Sequence, residues 1–204
     1  MNGAGRSAGG PAAVASSARR RARGGPAATA TAPPQPLAAA ALRAALGHFA
    51  TGVTVVTARD GDERVFGTTA NAVSSVSLDP PLLLVCLRDE SETLAALLAG
   101  GHFAVNVLRA EQDELARRFA RRAAPDTWAE VGHAPGHGGA PRLHGALATL
   151  DCALHDVADG GDHRIVVGRV LAVDHPDEHV DPLLYYRGAF AALTATTRAP
   201  RSRA

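Results

Sequence analysis

His163 stands in the run Gly160-Gly161-Asp162-His163-Arg164, at a β-turn, and it begins the most strongly β-branched strand of the chain, Ile165-Val166-Val167. A polar ring at the mouth of a strand is well placed to touch a ligand; from this feature alone, an exposed turn residue is an equal alternative. The second stretch with chemical content is Gly67–Pro81, GTTANAVSSVSLDPP, which runs small and hydroxylated where a buried strand would run apolar. Lying between two β-patterned segments, it offers backbone N–H groups and hydroxyls to whatever is placed against it, whether a ligand or the next turn of chain. Ser91 is a good N-cap for a short helix through Leu98, stopped by Gly100 and Gly101.

Other chemistries find less support. Nine histidines invite a metal reading, but Pro135 between His133 and His137 forbids the helix that would put both on one face. His144 and His155 have no Cys or carboxylate partner at ligand spacing, so these rings read as solvated loop residues and no metal is expected. Cys86 and Cys152 each sit in an apolar segment, which favours buried, inert free thiols in a reducing compartment. There is no G-x-S-x-G elbow, no G-x-G-x-x-G and no P-loop. The formal charge of +1 supplies no field for nucleic acid or a membrane surface. No apolar run approaches the roughly 20 residues needed to span a bilayer. A cytoplasmic protein with no nucleic-acid or membrane partner is the expectation. All the basic residues are Arg and Ala dominates, which reads as the codon bias of a GC-rich genome.

The elements that must position these residues follow from periodicity. Residues 1–36 are Ala, Gly, Pro, Ser and Arg with almost no large apolar side chain, and read as a disordered tail. Arg19, Arg20, Arg21 and Arg23 resemble a twin-Arg export signal, but no apolar h-region follows them. Leu37 to His48 places Leu37, Leu42, Leu46 and Phe49 on one helical face. Val53 to Ala58 reads as a strand, Asp60-Gly61-Asp62 as a hairpin turn and Val65 onward as the partner strand. Leu82 to Leu87 reads as a strand buried on both sides, and Phe103 to Leu108 as another. Glu111 to Arg122 is amphipathic, with Leu115 and Phe119 inward, and Ala123 to Pro141 looks like a loop or lid. Leu147 to Val157 and Arg164 to Val173 are long strands joined by Asp159-Gly160-Gly161-Asp162; Leu183 to Tyr186 and Ala189 to Leu193 close the pattern. Residues 37–194 therefore form one domain, mainly β with short helices, and 195–204 a flexible tail. Hairpin-connected strands point to an antiparallel barrel, because closure removes exposed edges.

Six motifs in order carry a resemblance. They are Phe49–Thr57 (FATGVTVVT), Thr69–Pro81 with its Thr-Ala-Asn and Ser-Val-Ser-Leu-Asp-Pro-Pro, Gly101–Leu108 (GHFAVNVL), Ala116–Ala120 (ARRFA), Gly161-Asp162-His163 and Leu183–Gly188 (LLYYRG). Together they resemble the short-chain flavin reductase family with an FMN-binding split barrel, from about Leu42 to Leu193.

The resemblance implies an antiparallel split β-barrel and an NAD(P)H:flavin oxidoreductase. Such an enzyme passes a hydride from NADH or NADPH to FMN or FAD and supplies reduced flavin to a partner monooxygenase. A homodimer with flavin near the interface is implied too. Gly67, Thr68, Thr69, Asn71 and Ala72 would line the flavin ring and ribityl chain, continued by Cys86, Leu87 and Arg88. Ser91 and Thr93 would meet the phosphate together with Arg118, beside Phe119. His163 would contact the nicotinamide as the catalytic residue, with Asp162 beside it at the cofactor and Tyr185, Tyr186 and Arg187 near the same mouth; the rival reading of His163 is structural, pinning the turn through Asp162. Two departures bear on flavin affinity: Ala72 stands where the family commonly has Ser, and Glu92 where it commonly has a basic residue, so Arg88 is the expected substitute cation. Rival readings on the same barrel are a non-catalytic flavin-binding protein and an oxidase that keeps its flavin.

Overall fold

A computed structural model describes residues 37–121, 127–176 and 180–193. The expected tails, 1–36 and 195–204, and residues 122–126 at the junction of the expected helix and lid, lie outside the described residues. Helix α1 (Ala39–Leu46) leads to β1 (Thr51–Gly52) and the hairpin of β2 (Thr54–Arg59) and β3 (Val65–Ala70). Asp60 closes that hairpin, its carboxylate accepting from the N–H groups of Asp62 at 2.9 Å and Arg64 at 3.0 Å. Strands β4 (Val73–Leu78) and β5 (Pro81–Arg88) form the next hairpin, followed by α2 (Glu92–Gly100) and β6 (His102–Val107). A 3-10 turn at Ala110–Gln112 opens α3 (Asp113–Phe119). The short strands β7 (His133–Pro135) and β8 (Pro141–Leu143) precede the long β9 (Ala148–Asp159) and β10 (His163–Asp174), then β11 (Leu184–Tyr186) and β12 (Ala189–Ala191).

Seven strands pair in the order β3-β2-β6-β9-β10-β5-β4, every pair antiparallel. β3 and β4, neighbours in sequence, are therefore the two ends of the sheet, and the curled sheet stays open between them. This is the antiparallel split β-barrel. A separate three-stranded sheet, β1-β11-β12, and the β7–β8 hairpin complete the strands among the described residues.

Strand β2 is buried without alternation from Thr54 to Ala58 because both of its faces are covered. Val56 and Ala58 join the core under α2 with Val85, Leu97 and Phe103; Val53 and Val55 join a second core with Leu108, Phe119 and Leu183. Gly67 lets α3 approach β3: a Cβ there would meet the Phe119 ring at 2.8 Å and Trp128 at 3.2 Å.

Four expectations change. Strand β5 is not buried on both sides: Leu83, Val85 and Leu87 enter the core, while Leu82, Leu84 and Cys86 are half-buried on the other face. The hydroxylated stretch contains a strand of its own, β4, whose Ser74 and Ser75 are exposed because β4 is an edge with one neighbour. The expected lid holds the β7–β8 hairpin rather than only loop. The apolar face of α1 packs on no core: none of its residues is buried, and Leu46 and Phe49 are 63% and 75% exposed.

A polar network pins the β7–β8 hairpin to the sheet. The fully buried Asn106 donates to Val55 O at 3.0 Å and Thr57 Oγ1 at 3.2 Å, and its oxygen accepts from Leu143 N at 2.8 Å. Thr57 in turn donates its hydroxyl to Pro141 O. Asp151, also fully buried, accepts from His137 N at 3.0 Å and from two nitrogens of Arg142. That carboxylate pushes the Arg142 guanidinium further above its ordinary value.

Breaking that ion pair with Asp151→Asn should lower unfolding free energy by roughly 3 kcal/mol, because Arg142 loses its counter-charge; an unchanged midpoint in urea titration would refute the role. Gly67→Val should cost about 1–3 kcal/mol through overpacking against Phe119. It should also shift the emission of the single tryptophan, Trp128, and a spectrum identical to wild type would show that the ring pair had not moved.

Candidate functional site

A cleft of about 840 Å³ opens where β3 faces β5 across the split. One wall is the β3 backbone at Gly67, Thr68 and Thr69, continued by Asn71 and Ala72. Among the described strands β3 pairs with β2 alone, so alternate N–H and C=O groups of this strand face the split without a partner among them. The Thr69 hydroxyl donates to Ala116 O at 2.6 Å and Asn71 Nδ2 donates to Thr51 Oγ1 at 3.2 Å, which fixes both side chains along the wall.

Opposite lie Cys86, Leu87 and Arg88 of β5, with His163 paired across from Arg88 at the start of β10. Cys86 thus lines the cleft rather than being fully buried, since odd-numbered residues of β5 take the core face. Cys152 is the buried thiol; desolvation pushes it up to about 12, which leaves it protonated and inert.

The N-terminus of α2 forms one end of the cleft. Ser91 caps it, accepting from Leu94 N at 3.4 Å, and both Ser91 and Thr93 reach the cleft. Free N–H groups and the helix dipole favour an anion there. Glu92, in the first turn, is exposed yet also borders the cleft, as does Glu90, whose carboxylate is 4.0 Å from Arg88.

His163 Nδ1 lies 2.7 Å from Asp162 Oδ1. That hydrogen bond, and then the imidazole's charge, hold the Asp162 carboxyl below its ordinary value. With Nδ1 engaged by the carboxylate, Nε2 is the ring nitrogen left to face a ligand. Asp162 itself does not line the cleft and acts through the ring.

Five further residues of the resemblance stand apart from the cleft. Arg118 spends its Nη1 on Ala129 O at 2.7 Å, tying α3 to the segment around Trp128. Arg121, just past the helix end, is the guanidinium that borders the cleft instead. Phe119 is fully buried behind Gly67, edge-on to Trp128 at 5.0 Å, and supports the wall from behind. Tyr185 faces a second cavity with Phe190. Tyr186 and Arg187 pack near the end of α1, with Arg187 N donating to Gly47 O at 2.9 Å and the Tyr186 ring 6.4 Å from His48.

Phe66, Ala70, Ala120, Arg121, Thr127 and Trp128 also border the cleft and were not among the residues singled out from sequence. Trp128 had a signal, being the only tryptophan and standing in a Gly-, Pro- and His-rich segment.

Comparison with known proteins bears on what this cleft holds. Residues 46–194 match the family described as Flavin reductase like domain. A probable flavin reductase of Rhizobium meliloti is 43% identical over 150 residues, 74% of this chain, which spans only about half, 47%, of that relative's length. The reductase component of the 4-nitrophenol 4-monooxygenase/4-nitrocatechol 2-monooxygenase of Rhodococcus opacus is 45% identical over 76% of this chain and 82% of its own. Among solved structures, the NADH:FAD oxidoreductase SgcE6 of Streptomyces globisporus, in complex with NAD and FAD fragments, superposes with a TM-score of 0.70. It is 39% identical, covering 75% of this chain and 91% of its own. The family match takes in most of the described fold and all of the cleft, and the chain belongs to the flavin reductase like family.

Proposed function

We propose that the protein is an NAD(P)H:flavin oxidoreductase that reduces FMN or FAD and supplies reduced flavin to a partner monooxygenase. One observation carries this reading: a single cleft joins an unpaired strand edge, a capped helix N-terminus and the Asp162-oriented ring of His163. Its volume lies within the roughly 300–1,000 Å³ usual for cofactor sites. The relatives named reductase components, and the neighbour named an NADH:FAD oxidoreductase, support it.

Bound flavin would supply the hydride acceptor, and the nicotinamide the hydride. The chain's part is to hold the two rings in contact, because positioning carries most of the barrier reduction. The β3 edge at Gly67–Thr69 offers N–H and C=O groups to the polar rim of a flat heterocycle, and Asn71 adds a side-chain amide. The α2 N-terminus receives the phosphate, with Arg121 as the cation in place of Arg118, whose guanidinium is engaged elsewhere. Asp162 fixes the tautomer and rotation of His163, so the ring orients the nicotinamide without moving a proton in the hydride step. Ala72 removes a hydroxyl from the wall and suits a protein that must release its flavin.

The partner surface is a separate element. A second copy of this chain is the occupant we assign to the exposed apolar face of α1, formed by Leu37, Leu42, Leu46 and Phe49. An eight-residue helix that buries none of its own side chains gains too little to hold its shape alone. No helix among the described residues is long and apolar enough to cross a membrane, and a cytoplasmic site of action fits the nicotinamide and flavin pools it would use.

Anaerobic mixing of protein, FMN and NADH or NADPH should bleach the flavin absorbance catalytically; absence of turnover with either nicotinamide would sink the reductase. In the same assay His163→Ala should raise the nicotinamide KM or lower kcat with FMN affinity intact, whereas an equal loss of FMN binding would make the ring structural. Arg121→Gln should weaken FMN about tenfold and leave riboflavin unchanged, as loss of one charge-assisted contact requires. Light scattering should report twice the 20.9 kDa chain mass, falling to one chain in Leu46→Asp; a wild-type monomer would rule out the dimer.

A further inference from the structure

A second cavity, about 490 Å³, shares a wall with the cleft: Ala120 and Arg121 border both. Its other sides come from α3 and the β11–β12 hairpin, through Arg117, Tyr185 and Phe190 and the small residues Gly188 and Ala189. Tyr185 and Phe190 are cross-strand partners, their rings 5.8 Å apart and inclined at 66°. The Arg117 guanidinium lies 4.8 Å over the Phe190 ring. Among the described residues no acidic side chain borders this cavity, whereas Glu90 and Glu92 border the cleft. Among the described residues the Arg117 charge is matched by Asp113 alone, at 3.5 Å.

These features have a common chemical complement. The Tyr185 ring and the guanidinium plane of Arg117, itself laid on Phe190, border a cavity flanked by small residues and suit a stacked purine base. Two guanidiniums on the same walls, Arg121 at the junction and Arg117 within, suit phosphate oxygens running from one cavity to the other. The plain alternative is that Tyr185, Phe190 and Arg117 only clasp the hairpin to α3, since Phe190 also packs against the second core.

We propose that the second cavity binds the adenosine-phosphate half of a dinucleotide whose other half lies in the cleft. The inference rests on the flavin reductase reading. FAD and the nicotinamide dinucleotide share this chemistry, and both are candidates for the occupant.

Calorimetric titration of the full-length protein with AMP tests the cavity directly. Wild type should bind AMP, and Phe190→Leu, which keeps the apolar bulk and removes the ring, should weaken it on the order of tenfold, as should Arg117→Gln. The two variants should keep wild-type FMN affinity and thermal midpoint. Absence of AMP binding, AMP affinity unchanged in both variants, or an equal loss of FMN affinity would overturn the proposal, the last by making the group a structural clasp. Competition identifies the source: AMP that raises the apparent Kd of FAD but not of FMN assigns the cavity to FAD. AMP that raises the nicotinamide KM with FMN as acceptor assigns it to the nicotinamide dinucleotide. Competition with neither also refutes the proposal. A protein that bleaches FMN normally yet fails these tests loses the second cavity and keeps its function; one that binds AMP through Phe190 but never bleaches flavin loses the function and keeps the cavity.

Discussion

The sheet of this protein does not close. β3 and β4 follow one another in sequence and end up at opposite edges of a seven-stranded antiparallel sheet. Closure would have paired the N–H and C=O groups of β3 with a strand on its free side. Left open, that edge needs polar company, and a polar cleft is the consequence. The composition of the wall follows from the same constraint. Large apolar side chains at 67–72 would fill the split, and a Cβ at Gly67 would strike the Phe119 and Trp128 rings that support the wall from behind.

An open barrel must be held in shape by something other than a closing seam. Here the interior polar groups of β6 and β9 serve. Asn106 reaches β2 on one side and Leu143 of β8 on another, and Asp151 gathers Arg142 and the His137 backbone. Each is wholly removed from water, and such groups are tolerated only when their partners are in place. The β7–β8 hairpin that they fasten leads back to Trp128 and Arg118, on the far side of the cleft from β5. A shift in the buried network would thus reach the site through covalent connection and through the Phe119–Trp128 contact.

Charge is distributed unevenly between the two cavities. The cleft mixes Arg88 and Arg121 with Glu90 and Glu92, so the α2 N-terminus and its cap matter more for an anion than the side-chain total does. Among the described residues the second cavity has guanidiniums and no bordering carboxylate. A dinucleotide laid across both would meet its positive surroundings at the junction, where Arg121 stands.

Local chemistry made much of this legible from residues alone. The Asp60 turn, the Ser91 cap with Gly101 beyond it, the Gly160-Gly161 turn and the long β-branched strands are set by neighbours within a few positions, and each stands where its residues indicated. The family motifs extended this to the split barrel and to most of the cleft wall. What sequence could not assign was direction. Arg118 and Arg121 are three residues apart and alike in chemistry; only the position of Ala129 decides that the first is engaged and the second borders the cleft. Tyr185, Tyr186 and Arg187 are consecutive, yet β11 sends its last two side chains to opposite faces, so Tyr185 meets the second cavity and Tyr186 the end of α1, while Arg187, past the strand, meets α1 through its backbone N–H. The helical face of α1 was legible as apolar, but whether such a face is buried depends on what the rest of the chain brings against it, and here the described residues bring nothing that buries it. Sequence by itself determined the long strands, the turns and the caps, because these answer to short-range sterics and hydrogen bonding, whereas β4 and the β7–β8 hairpin came only with their partners. Only the tertiary structure decided which edge stays open and which side chains face it, because those depend on pairings between residues far apart in the chain.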